Sequence, residues 1–192
     1  MQQVKQTIFV GLSGGVDSAV AAKRLLEQGY QVVGVFIKVW QPEFITCNWE
    51  AERLDAMRVA AHLGIPFLTC DAEATYRDEV GKYFISEYLA GRTPNPDVMC
   101  NQYVKFGAFM DFAKVHNADG IATGHYVQRI DTASGPTLVR GIDDTKDQSY
   151  FLWSLTTRQL AFSLFPVGDT PKATIRQEAV AAKIPTAAKK DS

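Results

Sequence analysis

The sequence predicts an α/β fold, a parallel sheet covered by helices on both faces. Three observations carry that expectation. Short β-branched runs alternate with longer stretches of helical periodicity up to residue 123. Single helices separate successive strands, which demands right-handed crossovers and hence parallel pairing. Glycines stand where helices should stop, at Gly29, Gly64 and Gly91.

Residues 7–12 read as a buried strand and 17–28 as a helix. Residues 31–40 form a long second strand, and 49–63 a helix periodic through Leu54, Met57, Ala61 and Leu63. A short strand follows at 67–70, helices at 75–90 and 98–115, and a fourth strand at 119–123. Beyond Tyr126 the rhythm changes to a hairpin over 127–140 around Ser134-Gly135-Pro136, a polar loop at 141–149, and helical segments up to Lys190. The expected division is a nucleotide-type domain over 1–130 and a hairpin and helical extension over 131–192. The charged ending, without a closing apolar element, reads as a cut. The aromatic set Tyr83, Phe84, Tyr88, Phe106, Phe109 and Phe112 has helical spacing and is expected in the core.

Composition narrows the function classes. The 192 residues carry 20 basic and 21 acidic side chains, a net charge of −1. That balance argues against a free-standing nucleic-acid binder, which carries a basic excess. No secretory leader or apolar run of membrane-spanning length is visible, and no membrane partner is expected. The three cysteines, Cys47, Cys70 and Cys100, lack the spacing of a disulfide framework or zinc site. A cytoplasmic location is expected.

The most informative string is Ser13-Gly14-Gly15-Val16-Asp17-Ser18, between the first strand and the first helix. Its glycines let the backbone turn tightly and offer N–H groups to an anion, and the helix N-terminus adds its dipole. It is neither a lysine-bearing GxxxxGK[ST] loop nor GxGxxG. It resembles the signature of the PP-loop ATP pyrophosphatases, in which the loop grips the pyrophosphate part of ATP and cleavage falls between the α- and β-phosphates. By that resemblance Asp17 would help hold Mg²⁺ with the leaving pyrophosphate; as a residue it reads equally as a helix start.

The second stretch is Asn95-Pro96-Asp97-Val98-Met99-Cys100-Asn101. Asp97 sits where an N-cap would, and Cys100 falls three residues later, where a helix N-terminus lowers a thiol pKa. Asp97 as a plain cap and Cys100 as a small buried hydrophobe is the equally open reading of these residues.

Four motifs in order then resemble the tRNA-specific 2-thiouridylases. They are the phosphate loop, Asn95-Pro96-Asp97 with Cys100-Asn101 and Lys105-Phe106-Gly107, Ala122-Thr123-Gly124-His125-Tyr126, and Lys146-Asp147-Gln148-Ser149. The resemblance implies a five-stranded parallel sheet of the adenine nucleotide alpha hydrolase-like type. It implies ATP contacts at Gly11, Leu12, Ser13, Gly14, Gly15, Val16, Asp17, Ser18, Ile37 and Gly124. It further implies target-base contacts at Asn95, Pro96 and Asp97, catalysis by Cys100 and Asp97, and tRNA contacts at Lys146, Asp147 and Gln148. The implied reaction adenylates the 2-oxygen of a wobble uridine, after which a persulfide, charged by a donor protein, delivers sulfur. The family's second, persulfide-bearing cysteine lies just past a Lys-Lys-Asp-Ser-like segment, where this sequence ends, so the chain is expected to be the ATP-binding part and inactive alone. Ile37 stands where the family often has Met.

Other candidates are weaker. His125 lies at a strand end on the ligand side; His62 and His116 are assigned no role. Lys105 reads more readily as a solvated lysine than as an RNA contact, and Lys189-Lys190 as a frayed pair. Cys47 and Cys70 read as structural. Two competing classes remain, an amide or C–N ligase built on the same loop, and a nucleotide-binding module without turnover.

Overall fold

In the computed structural model, which describes residues 5–42 and 48–190, strand β1 (Thr7–Gly11) lies at the centre of the sheet. Its apolar run is buried on both faces: Ile8 and Val10 face one hydrophobic cluster and Phe9 the other. That alternation is what a strand covered on both sides requires. Helix α1 (Val16–Glu27) follows, then β2 (Gln31–Lys38), α2 (Trp49–Leu63) and β3 (Phe67–Asp71). A continuous helix α3 spans 73–89, with Tyr76–Gly81 wound as π-helix. Helix α4 spans 96–115 and is π-helical over Cys100–Ala108. Strand β4 (Gly120–Ala122) and the antiparallel hairpin β5 (Val127–Thr132) and β6 (Gly135–Arg140) come next. Helix α5 (Thr157–Ala161), strand β7 (Ser163–Leu164) and helix α6 (Lys172–Ala181) complete the described chain.

The five-stranded sheet has the order β3-β2-β1-β4-β7 with every pairing parallel. One face is packed by α1, α2 and α6 through Ala19, Val20, Val59, Ala60, Ile175 and Ala179. The opposite face is packed by α4 through Phe106, Phe109, Met110 and Ala113. The fifth strand, β7, comes from beyond residue 130 and was not placed by sequence pattern. Two residues with one buried serine carry no periodicity.

The segment after residue 130 is tied to the sheet by arginines. Arg129 Nη1 donates to the carbonyls of Leu160, Ala161 and Ser163, joining the hairpin to α5 and β7. Arg24 on α1 reaches Glu178 on α6, Asp169 and the carbonyl of Pro166. Its side chain is 16% exposed, so these partners offset its desolvation.

Several sequence expectations need correction. On α2 the inward face is Ala56, Val59 and Ala60, whereas Leu54 and Met57 point outward, because α-helical small residues allow α2 to lie close to the sheet. Phe106 and Phe109 are core, but Phe84 and Tyr88 are exposed on α3. Helix α4 begins at Pro96, not Val98, and its cap is Asn95, whose Oδ1 accepts from the Val98 N–H at 3.2 Å. Proline at the first helical position needs no N–H partner there.

Candidate functional site

Sheet order reverses at β1, with β2 on one side and β4 on the other. In open α/β sheets ligands bind beyond the carboxyl ends of the strands at such a point. Two loops meet there: residues 12–15 after β1 and 123–126 after β4. The first is held by its own serines. Ser18 Oγ lies 3.3 Å from the Ser13 N–H and from Ser13 Oγ, and Ser13 Oγ accepts from the Gly15 N–H at 3.3 Å. Gly14 has φ +72°, a left-handed conformation that favours glycine. In the second loop, a β-carbon on Gly124 would come 2.7 Å from the Ser18 nitrogen, so only glycine lets β4 pass this close to the start of α1.

Between the loops lies a cleft of about 360 Å³. Its wall unites Gly11, Leu12, Ser13, Asp17 and Ser18 with Ile37, Gly124, Cys100 and Gln148, residues drawn from distant parts of the sequence. Gly14, Gly15 and Val16 shape the loop from behind. Asn95, Asp97, Lys146 and Asp147 do not line this cleft. Pro96 lines a neighbouring apolar groove of about 640 Å³ with Trp40, Tyr76 and Phe84, which shares Val39 and Gln41 with the cleft.

The thiol of Cys100 faces the cleft, but not in the electrostatic setting expected. Because α4 starts at Pro96, Cys100 falls in the second turn, past the N–H groups of the helix end. Burial pushes its pKa up and Asp97 adds to this; Lys105 works in the opposite direction without prevailing. The expected lowering is therefore overturned for the unliganded protein. Cys70, at the end of β3, is pushed up to about 11, chiefly by burial. Cys47 lies outside the described residues.

Asp17 is engaged on both oxygens: Lys172 Nζ from α6 sits 2.7 Å from each, and the Tyr126 hydroxyl donates to Oδ1 at 2.6 Å. Among the described residues no group of three or more His, Cys, Asp or Glu is placed to hold a metal ion. A magnesium ion takes octahedral oxygen ligands, so one carboxylate already bound by an ammonium group does not make its site. The described residues do not by themselves make a protein-held Mg²⁺ site.

Of the predicted RNA contacts, Gln148 reaches the cleft while its Oε1 accepts from the Tyr126 N–H at 2.9 Å. Asp147 instead organises its loop, accepting from the N–H groups of Gly141 and Ser149, from Ser149 Oγ and from Arg140. Burial pushes its carboxyl up, but these bonds outweigh that and leave it below the usual range. Lys146 is half-buried in the same loop. His125 is buried, with Nδ1 2.8 Å from Thr123 Oγ1 and its ring against Phe106; burial and Lys105 hold its pKa well below the ordinary value, so it is neutral at pH 7. Sequence reasoning missed Lys172 and Tyr126, which come to Asp17 from 155 and 109 residues away. It placed Lys105 on the surface, whereas Lys105 lines the cleft. Lys189 is not frayed: its Nζ meets Asp55 on α2 at 2.9 Å and lowers that carboxyl's pKa.

The cleft opens at the switch point of a five-stranded parallel sheet packed by helices on both faces, and this architecture defines an α/β domain. The chain belongs to the family described as tRNA methyl transferase HUP domain, which matches residues 6–192. It is 50% identical over 191 residues to the tRNA-specific 2-thiouridylase MnmA of Proteus mirabilis, covering 98% of this chain and 52% of that protein. The chain thus spans about half the length of the curated relatives it matches. Among solved structures it is similar to a 4-thiouridine synthetase–RNA complex with bound ATP, with a TM-score of 0.58, 18% identity, and coverage of 97% of this chain and 43% of that one. The NMN synthetase of Francisella tularensis gives a TM-score of 0.59 at 15% identity, covering 98% and 66%. At those identities the structural likeness establishes the fold. No helix among the described residues is long and apolar enough to cross a membrane.

Proposed function

We propose that this chain is the ATP-binding part of an enzyme that thiolates a wobble uridine of tRNA. The observation that carries the reading is the meeting of the phosphate loop, Ile37, Gly124 and the Cys100 thiol in one cleft at the sheet's switch point. The loop's backbone and serines receive the β- and γ-phosphates. The apolar side of the cleft, Phe36, Ile37 and Trp49, receives the adenine. The uridine 2-oxygen attacks the α-phosphorus, the bond to the bridging oxygen breaks, and pyrophosphate leaves with the electron pair. A persulfide sulfur then attacks C2 and AMP leaves. Cys100 then attacks the cysteine sulfur of the resulting C2–S–S–Cys adduct. The S–S bond breaks, the 2-thiouridine leaves with the outer sulfur and the electron pair, and Cys100 ends in a disulfide with the second cysteine.

Pro96 lines the groove adjoining the cleft, and it and its chain neighbours Asn95 and Asp97 are read as base contacts, with Lys146 and Gln148 toward the tRNA. Asp97 serves proton transfer at the uridine, because its charge opposes ionisation of Cys100. Magnesium arriving with ATP would neutralise charge on the leaving pyrophosphate. The persulfide donor is a separate protein, and the setting is cytoplasmic. A nearly neutral chain supplies little phosphate-neutralising charge, so the chain alone is expected to bind tRNA feebly and not to thiolate it.

Cys100 in the cleft favours sulfur transfer over amide ligation, which has no use for a thiol there. The test is calorimetric titration of the chain with ATP, followed by pyrophosphate release with and without tRNA. Binding of ATP with release that depends on tRNA supports the reading. Absence of ATP binding, or ATP turnover driven by an amine and indifferent to tRNA, overturns it.

A further inference from the structure

Lys105 is the lysine that sequence spacing sends to the wrong side of α4. In a regular α-helix, residues five apart are separated by about 140° around the axis. Cys100 and Lys105 would then face different ways. Over Cys100–Ala108 the helix is π-wound, so bonds run from i to i+5 and such residues share a side. The unwinding is held from outside: Gln159 Nε2 donates to the carbonyls of Gln102 at 3.0 Å and Phe106 at 2.9 Å. Both Cys100 and Lys105 consequently line the cleft.

Lys105 is the only lysine or arginine on that wall, and it has no carboxylate partner among the described residues. Every other lysine near the loop is spoken for, Lys172 by Asp17 and Lys189 by Asp55. The phosphate loop itself carries no lysine. With ATP seated as proposed, the loop's amides and hydroxyls would serve the β- and γ-phosphates, and an α-phosphoryl group on the Cys100 side of the cleft would need a cation from elsewhere.

We infer that Lys105 binds the α-phosphoryl group of ATP and meets the negative charge that gathers there during adenylation. The inference rests on the proposed ATP reading and adds a residue to it. A charge-assisted bond from an ammonium to a phosphate oxygen is among the stronger polar contacts, and Arg replaces Lys only in part at a point contact.

The experiment titrates the chain and its Lys105→Met and Lys105→Arg variants with ATP, AMP and pyrophosphate, with thermal melts to show that each is folded. The expected result is at least a tenfold loss of ATP and AMP affinity in Lys105→Met, pyrophosphate affinity within about twofold of the parent, and partial recovery in Lys105→Arg. Equal loss of all three ligands marks a merely structural role and overturns the inference, as does unchanged binding of ATP and AMP. In both cases the parent's ATP binding leaves the wider reading intact. A parent chain that binds none of the three overturns both.

Discussion

A β-carbon on Gly14 would stand 2.8 Å from Asp55 Cβ and 2.8 Å from the carbonyl oxygen of Glu52, so the phosphate loop is seated directly on α2. Glycine at this position serves the fold as well as any ligand. Gly14→Val is therefore expected to lower stability by about 2–4 kcal/mol, from overpacking and the strained positive φ together. Gly15 is different. Its β-carbon would meet only Ser13 Oγ, at 3.2 Å. Gly15→Ala should melt within a few degrees of the parent and yet lose ATP affinity. Paired melts and titrations check this; a Gly14→Val protein with unchanged stability would refute the packing argument.

Cysteine reactivity follows from burial. With its pKa raised, Cys100 holds less thiolate at pH 7 than a free thiol, so its alkylation should climb with pH through a midpoint above the free-thiol value. Cys70, at about 11, should react more slowly at every pH. Iodoacetamide labelling read by peptide mass separates the two. A Cys100 midpoint below the free-thiol value would show that the helix end prevails over burial after all.

The Arg24–Glu178 pair sets a pH dependence whose sign is fixed. Glu178 is held below its usual pKa of 4.5, first by the hydrogen bond from Arg24. Its stabilising contribution is complete above that value and is lost as pH falls through the lower, folded one. Both side chains are largely shielded, at 16% and 29% exposure, so Glu178→Gln should cost about 1–2 kcal/mol at pH 7. Urea unfolding should show the gap between parent and variant closing as pH drops below 4.5. A gap that widens toward acid would contradict the assignment.

Asn95 caps α4, so Asn95→Ala should destabilise the chain by about 1 kcal/mol while Asn95→Asp retains most of the cap. Denaturant midpoints check it. Equal midpoints for parent and Asn95→Ala would mean that the side chain is free for another task.

The sequence by itself determined the strand–helix alternation, the parallel pairing and the loop at residues 13–18, because each is written in local periodicity and turn chemistry. It also determined which loops lie at the ligand edge, since a crossover rule fixes strand direction. Only the tertiary structure decided what Asp17, Cys100 and Lys105 experience. Lys172 and Tyr126 reach Asp17 from remote parts of the chain, and no spacing in sequence announces them. The position of Asn95 at the cap moved Cys100 out of the first turn, and burial there raises its pKa. The π-winding of α4 turned Lys105 into the cleft, because it changes the angular period on which any reading of a helix face depends.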